Sequence, residues 1–158
     1  MADELPDVDD ILDETGFAAA ESVLTRRQAE VLALRERGYA QAAIAERLGT
    51  SRANISSVES TARDNVAKAR ETVAFADALA APVRVTVEAG ADLYDVPQQV
   101  YDACDEVDVK VPHTAPDLMK VINDAAGSAI DGREVGENLL ISVTTDGTVQ
   151  VRRQKDTD

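Results

Sequence analysis

The chain has 158 residues, enough for one ordinary domain or two small ones, and no apolar run approaches the length that spans a bilayer. Its single cysteine, Cys104, excludes an intramolecular disulfide and fits a reducing cytoplasm, and the first twenty residues carry acids rather than the basic-then-apolar pattern of a secretory signal. Net charge is −14, unfavourable for any role that needs a uniformly basic surface.

The charge is unevenly distributed. Residues 1–24 hold eight acids and no base, residues 25–70 hold nine bases against five acids, and residues 71–158 hold seven bases against seventeen acids. A positive segment therefore lies between two acidic ones, and that local footprint matters more for docking on a polyanion than the total does. Of the 16 basic residues twelve are Arg and four Lys; with abundant acids and 3% aromatics, this composition predicts a halophilic source.

Residues 1–23 read as an acidic, solvated and disordered tail, with at most a short helix around Val8, Ile11 and Leu12, because blocks of like charge repel. Solubility is its simplest role; competition with a polyanion for the basic segment is the regulatory alternative.

Residues 24–80 carry the organising motif. Thr25-Arg26-Arg27-Gln28 has capping-box spacing, which opens a helix through about Arg37 with Ala29, Val31, Leu32 and Leu34 as its apolar residues and Gly38 as its end. Ile44, Ala45 and Leu48 then give a short helix one apolar face, Gly49 suits the position just past its end, and Thr50 or Ser51 can cap the next helix. Two short helices joined in this way form a helix-turn-helix, in which the second helix is exposed. Ile55 and Val58 face inward. Arg52, Asn54, Ser56 and Ser57, with Ser51 before them and Thr61 and Arg63 a turn later, form an outward set suited to base edges and phosphates in a major groove. Arg26, Arg27, Arg63 and Lys68 stand at helix ends or flanks, where a cation can meet the backbone of double-stranded DNA without reading sequence.

The apolar positions Ile55, Val58, Ala62, Val66, Ala69, Val73 and Ala76 continue at heptad-like spacing and predict one long helix from Ser51 to about Leu79. Packing within the chain is the plain reading of this seam, and contact between two copies the sharper one. Pro82 ends the helix and sets the expected domain boundary.

Residues 82–155 read as a small α+β domain. The elements are a strand over Val83–Glu88, a helix from Leu93 to about Cys104 with Pro97 in its first turn, and a short strand or extended link over Val107–Val111. A helix over Ala115–Ala126 follows, closed by Gly127, and then a hairpin with strands to Thr145 and from Thr148 joined by Asp146-Gly147. About seventy residues is near the lower limit for a self-sufficient core, so this domain is expected to lean on the long helix or on a second subunit.

Little here suggests catalysis. The chain lacks the nucleophile-elbow, P-loop and dinucleotide-binding glycine patterns. Cys104, Asp105, Glu106, Asp108 and His113 are close in sequence, but a buried thiol and a surface imidazole explain them more simply than a metal site does. Tyr94, Tyr101 and Met119 read as core rather than as a ligand pocket. No enzyme, cofactor, metal or effector site is legible.

The runs Leu24-Thr25-Arg26-Arg27-Gln28-Ala29-Glu30-Val31-Leu32 and Ile44-Ala45-Glu46-Arg47-Leu48-Gly49-Thr50-Ser51-Arg52-Ala53-Asn54-Ile55-Ser56 resemble the archaeal Tfx family of DNA-binding transcriptional regulators. The first run alone also suits C-terminal domains of bacterial sigma factors or LuxR-type regulators; the Gly-Thr-Ser-Arg-Ala-Asn-Ile-Ser-Ser run is the narrower signal. The resemblance spans roughly residues 22–155 and leaves out the acidic leader. It implies an α+β protein with an N-terminal helix-turn-helix, a small C-terminal domain and a role in transcription. The expectation is a sequence-specific reader of promoter DNA, acting as a homodimer on half-sites about 10 base pairs apart. A protein–protein adapter within the transcription machinery is the alternative, since fold alone does not fix function.

Overall fold

In a computed structural model, residues 4–154 are described. The first three residues of the acidic leader and Lys155, the last of the expected second domain, lie outside them. The chain is α+β, with a helical first part and an α+β second part.

The leader does not match the expectation of a solvated tail. Asp7 accepts the backbone N–H of Asp9 at 2.9 Å and opens helix α1, Val8–Glu14. Val8, Ile11 and Leu12, at i, i+3 and i+4, bury one face of it against Ala29, Val31, Leu34 and Ile44, while Asp9, Asp10, Asp13 and Glu14 stay in solvent. Burial of three aliphatic side chains, worth about 1.5–3 kcal/mol each, outweighs repulsion between exposed acids.

Helix α2 covers Arg26–Glu36 and is opened by the expected capping box: Gln28 N–H donates to Thr25 Oγ1 at 3.2 Å and Thr25 N–H to Gln28 Oε1 at 3.0 Å. Helix α3, Gln41–Leu48, ends at Gly49 with φ 69°, the left-handed conformation that glycine adopts without a Cβ clash. Ser51 rather than Thr50 caps the next helix, accepting the Asn54 N–H at 3.1 Å. Helix α4 then runs unbroken from Arg52 to Ala80.

The two compact units of the chain divide between Thr72 and Val73, inside α4, rather than at Pro82. The heptad-like seam divides with them. Ile55 and Ala62 are buried and Val58 half-buried in the first unit, whereas Val73 is 60% exposed and Ala76 is also exposed.

In the second unit, strands β1 (Val83–Val87), β4 (Leu139–Val143) and β5 (Val149–Arg153) form an antiparallel sheet in the order β1-β4-β5. Helices α5 (Val96–Glu106) and α6 (Ala115–Ala126) bury Val100, Leu118 and Ile122 with Val83, Val87 and Ile141 of the sheet. The other face carries Ser142 opposite Gln150, and there Gln150 Nε2 donates to Asp77 Oδ2 at 3.3 Å while Arg152 stacks on Phe75 with its Cζ 5.8 Å from the ring centroid. Thus the end of α4 belongs to this unit, and Pro82 marks only the end of the helix.

Four sequence expectations need revision here. Residues 93–95 form a 3-10 turn, so α5 begins at Val96. Of the two readings for residues 107–111 the strand fails and a link is present: Asp108 takes φ 57°, which turns the chain before residues 109–111. A two-residue Gly132-Arg133 loop joins two short unanticipated strands, β2 (Ile130–Asp131) and β3 (Glu134–Val135). Finally, the β4–β5 connection has a three-residue loop, Thr145–Gly147. Thr144 N–H donates to Thr148 O at 2.9 Å, Gly147 N–H donates to Thr144 O at 3.0 Å, and Gly147 has φ 86°. A turn followed by a left-handed glycine bulge shifts the register by one residue from an Asp-Gly two-residue turn, so that Val143 faces Val149.

Candidate nucleic-acid interface

The presentation of α4 depends on one buried carboxylate. Residues 55, 58, 59 and 62 share the inward face of the helix, and at 59 that face carries Glu rather than an aliphatic residue. Glu59 is 6% exposed. Arg35 Nε of α2 reaches its two oxygens at 3.0 and 3.2 Å, Gln41 Nε2 of α3 reaches one at 2.9 Å, and Arg63 of α4 donates through Nε at 3.0 Å with Nη2 2.8 Å away. Arg35 Nη1 also donates to Tyr39 O at 2.9 Å. All three helices of the motif are therefore tied to one anion. The hydrogen bond from Gln41, followed by those from Arg63 and Arg35, holds the Glu59 carboxyl below the usual carboxylate range against the opposing effect of burial.

On the opposite side of α4, Ala53, Ser56, Ser57 and Ser60 follow helical spacing and are all exposed, with Arg52 and Asn54 on the flanks. Among the described residues the side chains of Arg52, Asn54, Ser56, Ser57 and Thr61 have no hydrogen-bond or ion-pair partner, so their polar groups face water. Ser51 is taken up by its cap. Asp64 is the first acid on this face, and it confines the neutral or basic surface to the first three turns.

The cations sort into two groups. Arg26 pairs with Asp9 at 2.5 Å and Glu30 at 3.5 Å, Arg27 with Glu30 at 3.4 Å, and Arg37 with Glu14 at 3.9 Å. Arg63 pairs with Glu59 and, at 3.7 Å, with Glu36. Among the described residues Arg47, Arg52, Lys68 and Arg70 have no ion pair. Three of the four flanking cations singled out in the sequence are thus held by acids of the chain, and only Lys68 is not. Arg47 and Arg70 were not singled out; both are exposed, and their signal was the lack of an acid at helical spacing able to reach them. Glu59, Arg35 and Gln41 were also missed, although an acid at an inward position was a readable sign.

Outside this surface, Cys104 is buried, and burial pushes its thiol pKa up. Tyr101 donates to His113 O at 2.7 Å. Tyr94 is not core: it is 60% exposed, under the Arg133 guanidinium at 4.5 Å from the ring centroid.

Comparison with known proteins agrees with this division. Residues 69–151 match the family described as DNA-binding protein, TFX, C-term, and residues 22–68 match sigma-70, region 4. The chain belongs to the Tfx family. A Haloarcula marismortui relative, named as a candidate transcriptional regulatory protein, is 57% identical over 96% of both chains. One from Methanocaldococcus jannaschii, similarly named, is 36% identical over 83% of this chain and 96% of its own. The DNA-binding protein Tfx of Methanothermobacter thermautotrophicus is 35% identical over 81% of this chain and 93% of its own. Residues 1–21, which include α1, lie outside both family matches. None of the helices among the described residues is long and apolar enough to cross a membrane.

Proposed function

We propose that this Tfx-family chain is a sequence-specific transcriptional regulator that reads promoter DNA with the first turns of α4 and acts as a cytoplasmic homodimer in a salt-rich cell. The observation that carries the reading is the exposed set Arg52, Asn54, Ser56, Ser57 and Thr61, without partners of its own, on a helix locked in place through Glu59. Short polar groups and one arginine at the start of such a helix match the donor and acceptor pattern of base edges. Arg47, Arg52, Lys68 and Arg70 supply phosphate contacts; Arg26, Arg27 and Arg63 can add to them only by exchanging an acid of the chain for a phosphate. A regulator in concentrated salt gains little from counterion release, so internally neutralised arginines cost it little. The reading needs no cofactor or metal. A band shifted by promoter DNA that survives excess nonspecific competitor supports it, and binding abolished by the competitor contradicts it.

One observation favours an adapter role as a second reading. Ile11, Leu12, Phe17, Leu24 and Leu32 line an apolar groove of about 420 Å³ in the first unit, a feature that DNA does not use.

A further inference from the structure

The last two turns of α4 present an uncovered face. Val73 is 60% exposed and Leu79 59%, and Thr72, Ala76 and Ala80 between and beside them are exposed as well. These five positions lie on one side of the helix, away from the buried Ala78, with Asp77 at the margin between them and the second-unit sheet. None of the five is charged, in a chain with 29% charged residues. Arg70 and Asp77 are seven residues apart, so they flank this stripe along the same edge, one near each end. Arg70 has no ion pair among the described residues, and Asp77 is bonded only through Oδ2, to the neutral amide of Gln150.

We infer that this face is the contact between two copies of the chain, with the two helices antiparallel about a two-fold axis that passes near Val73 and Ala76. The inference rests on the homodimer reading above and assigns the place and the geometry of the contact. A two-fold interface is self-complementary: whatever residue i meets, its counterpart meets in return. With the axis near Val73, each Arg70 falls within a turn of Asp77 in the other copy, so the edge charges pair twice while the uncharged stripes meet between them. A parallel two-fold pairing puts this edge of the two helices on opposite sides of the contact, so that Arg70 and Asp77 do not meet across it. The small side chains of Ala76 and Ala80 let the helix backbones approach closely, and Val73 and Leu79 supply the apolar area. Residues 71–158 carry ten more acids than bases, so association brings together two negative bodies. The apolar contact is therefore expected to strengthen, and the charge pairing to weaken, as salt rises.

The test uses the full chain in sedimentation equilibrium, in low salt and in molar potassium chloride. Circular dichroism confirms that each variant is folded. Wild type is expected to be dimeric and Val73→Glu monomeric in both. In low salt Arg70→Asp and Asp77→Arg each set two like charges against each other, so each alone is expected to dimerise at least about tenfold more weakly. An equimolar mixture of these two variants regains wild-type association, because the mixed dimer pairs opposite charges at both ends of that edge. Recovery in the mixture supports the antiparallel contact. A mixture no stronger than either variant alone overturns the geometry, and a dimeric Val73→Glu overturns the location while leaving the homodimer reading intact. Monomeric wild type in both salts overturns the homodimer reading itself.

Discussion

Replacing Glu59 by Gln is expected to loosen the helix-turn-helix while leaving the outward side chains of its first turns, Arg52 to Ser57, in place. The carboxylate accepts from Arg35, Gln41 and Arg63, but these partners do not contribute equally. The Arg63 side chain is 50% exposed and regains water readily, whereas Arg35 is 33% exposed. Hydrogen bonds to a charged group contribute about 1.5–3 kcal/mol each; discounting Arg63 for solvent leaves a loss of about 2–4 kcal/mol. For a unit of this size that lowers the melting temperature by on the order of 10–30 °C. The dependence on pH has a definite sign. Because the folded carboxyl titrates below its unfolded value of about 4.3, its contribution is fully present above that value and is lost as pH falls through the folded one. Wild type and Glu59→Gln should therefore converge in stability only in acid. Urea unfolding of wild type, Glu59→Gln, Arg35→Ala and the double variant measures the coupling, expected to be above about 1 kcal/mol. It should persist in molar salt, since a buried pair is poorly screened. Additive single effects, or a loss below about 0.5 kcal/mol, would refute the central role given to Glu59.

Three further outcomes follow from the same structure. Arg47→Ala should shallow the dependence of log K on log salt by about 0.9, whereas Arg27→Ala, whose guanidinium already faces Glu30, should change it less; equal changes would show that the internal pairs open on DNA. Asp9→Asn removes the nearer of the two acids that hold Arg26, leaving Glu30, and is expected to tighten binding to random DNA in low salt but not in molar salt, as competition titrations would show. Gly147→Ala combines a φ of 86° with a Cβ placed against Lys110 O, so it should destabilise the second unit by about 2 kcal/mol or more in urea unfolding; a neutral result would mean that the 107–112 link yields freely.

Much of this fold was legible because local chemistry and tertiary demand agree. The capping box at Thr25, the glycine at 49 and the proline at 82 end or begin helices whatever surrounds them. The misjudged places are those where a global term decides. The acids of α1 suggest solvation, yet its three apolar residues find a core that only the folded motif supplies. The hairpin turn was placed by its preferred dipeptide, whereas the sheet set the register, with Gly147 tucked under the backbone of Lys110. The outward set on α4 was readable from periodicity. The pairing of Arg26 and Arg27 with Glu30 and of Arg63 with Glu59 stood at readable helical spacing and was missed, whereas the partners Asp9 and Glu36 come from other elements and were not readable.

The most direct test of the account is the affinity of Asn54→Ala for the operator and for random duplex DNA of the same length, measured at one salt concentration. Asn54 is exposed, unpartnered and near the start of α4, so a loss of about 1–3 kcal/mol on the operator with little change on random DNA is predicted. Equal weakening on both, or none on either, would contradict base reading by this helix.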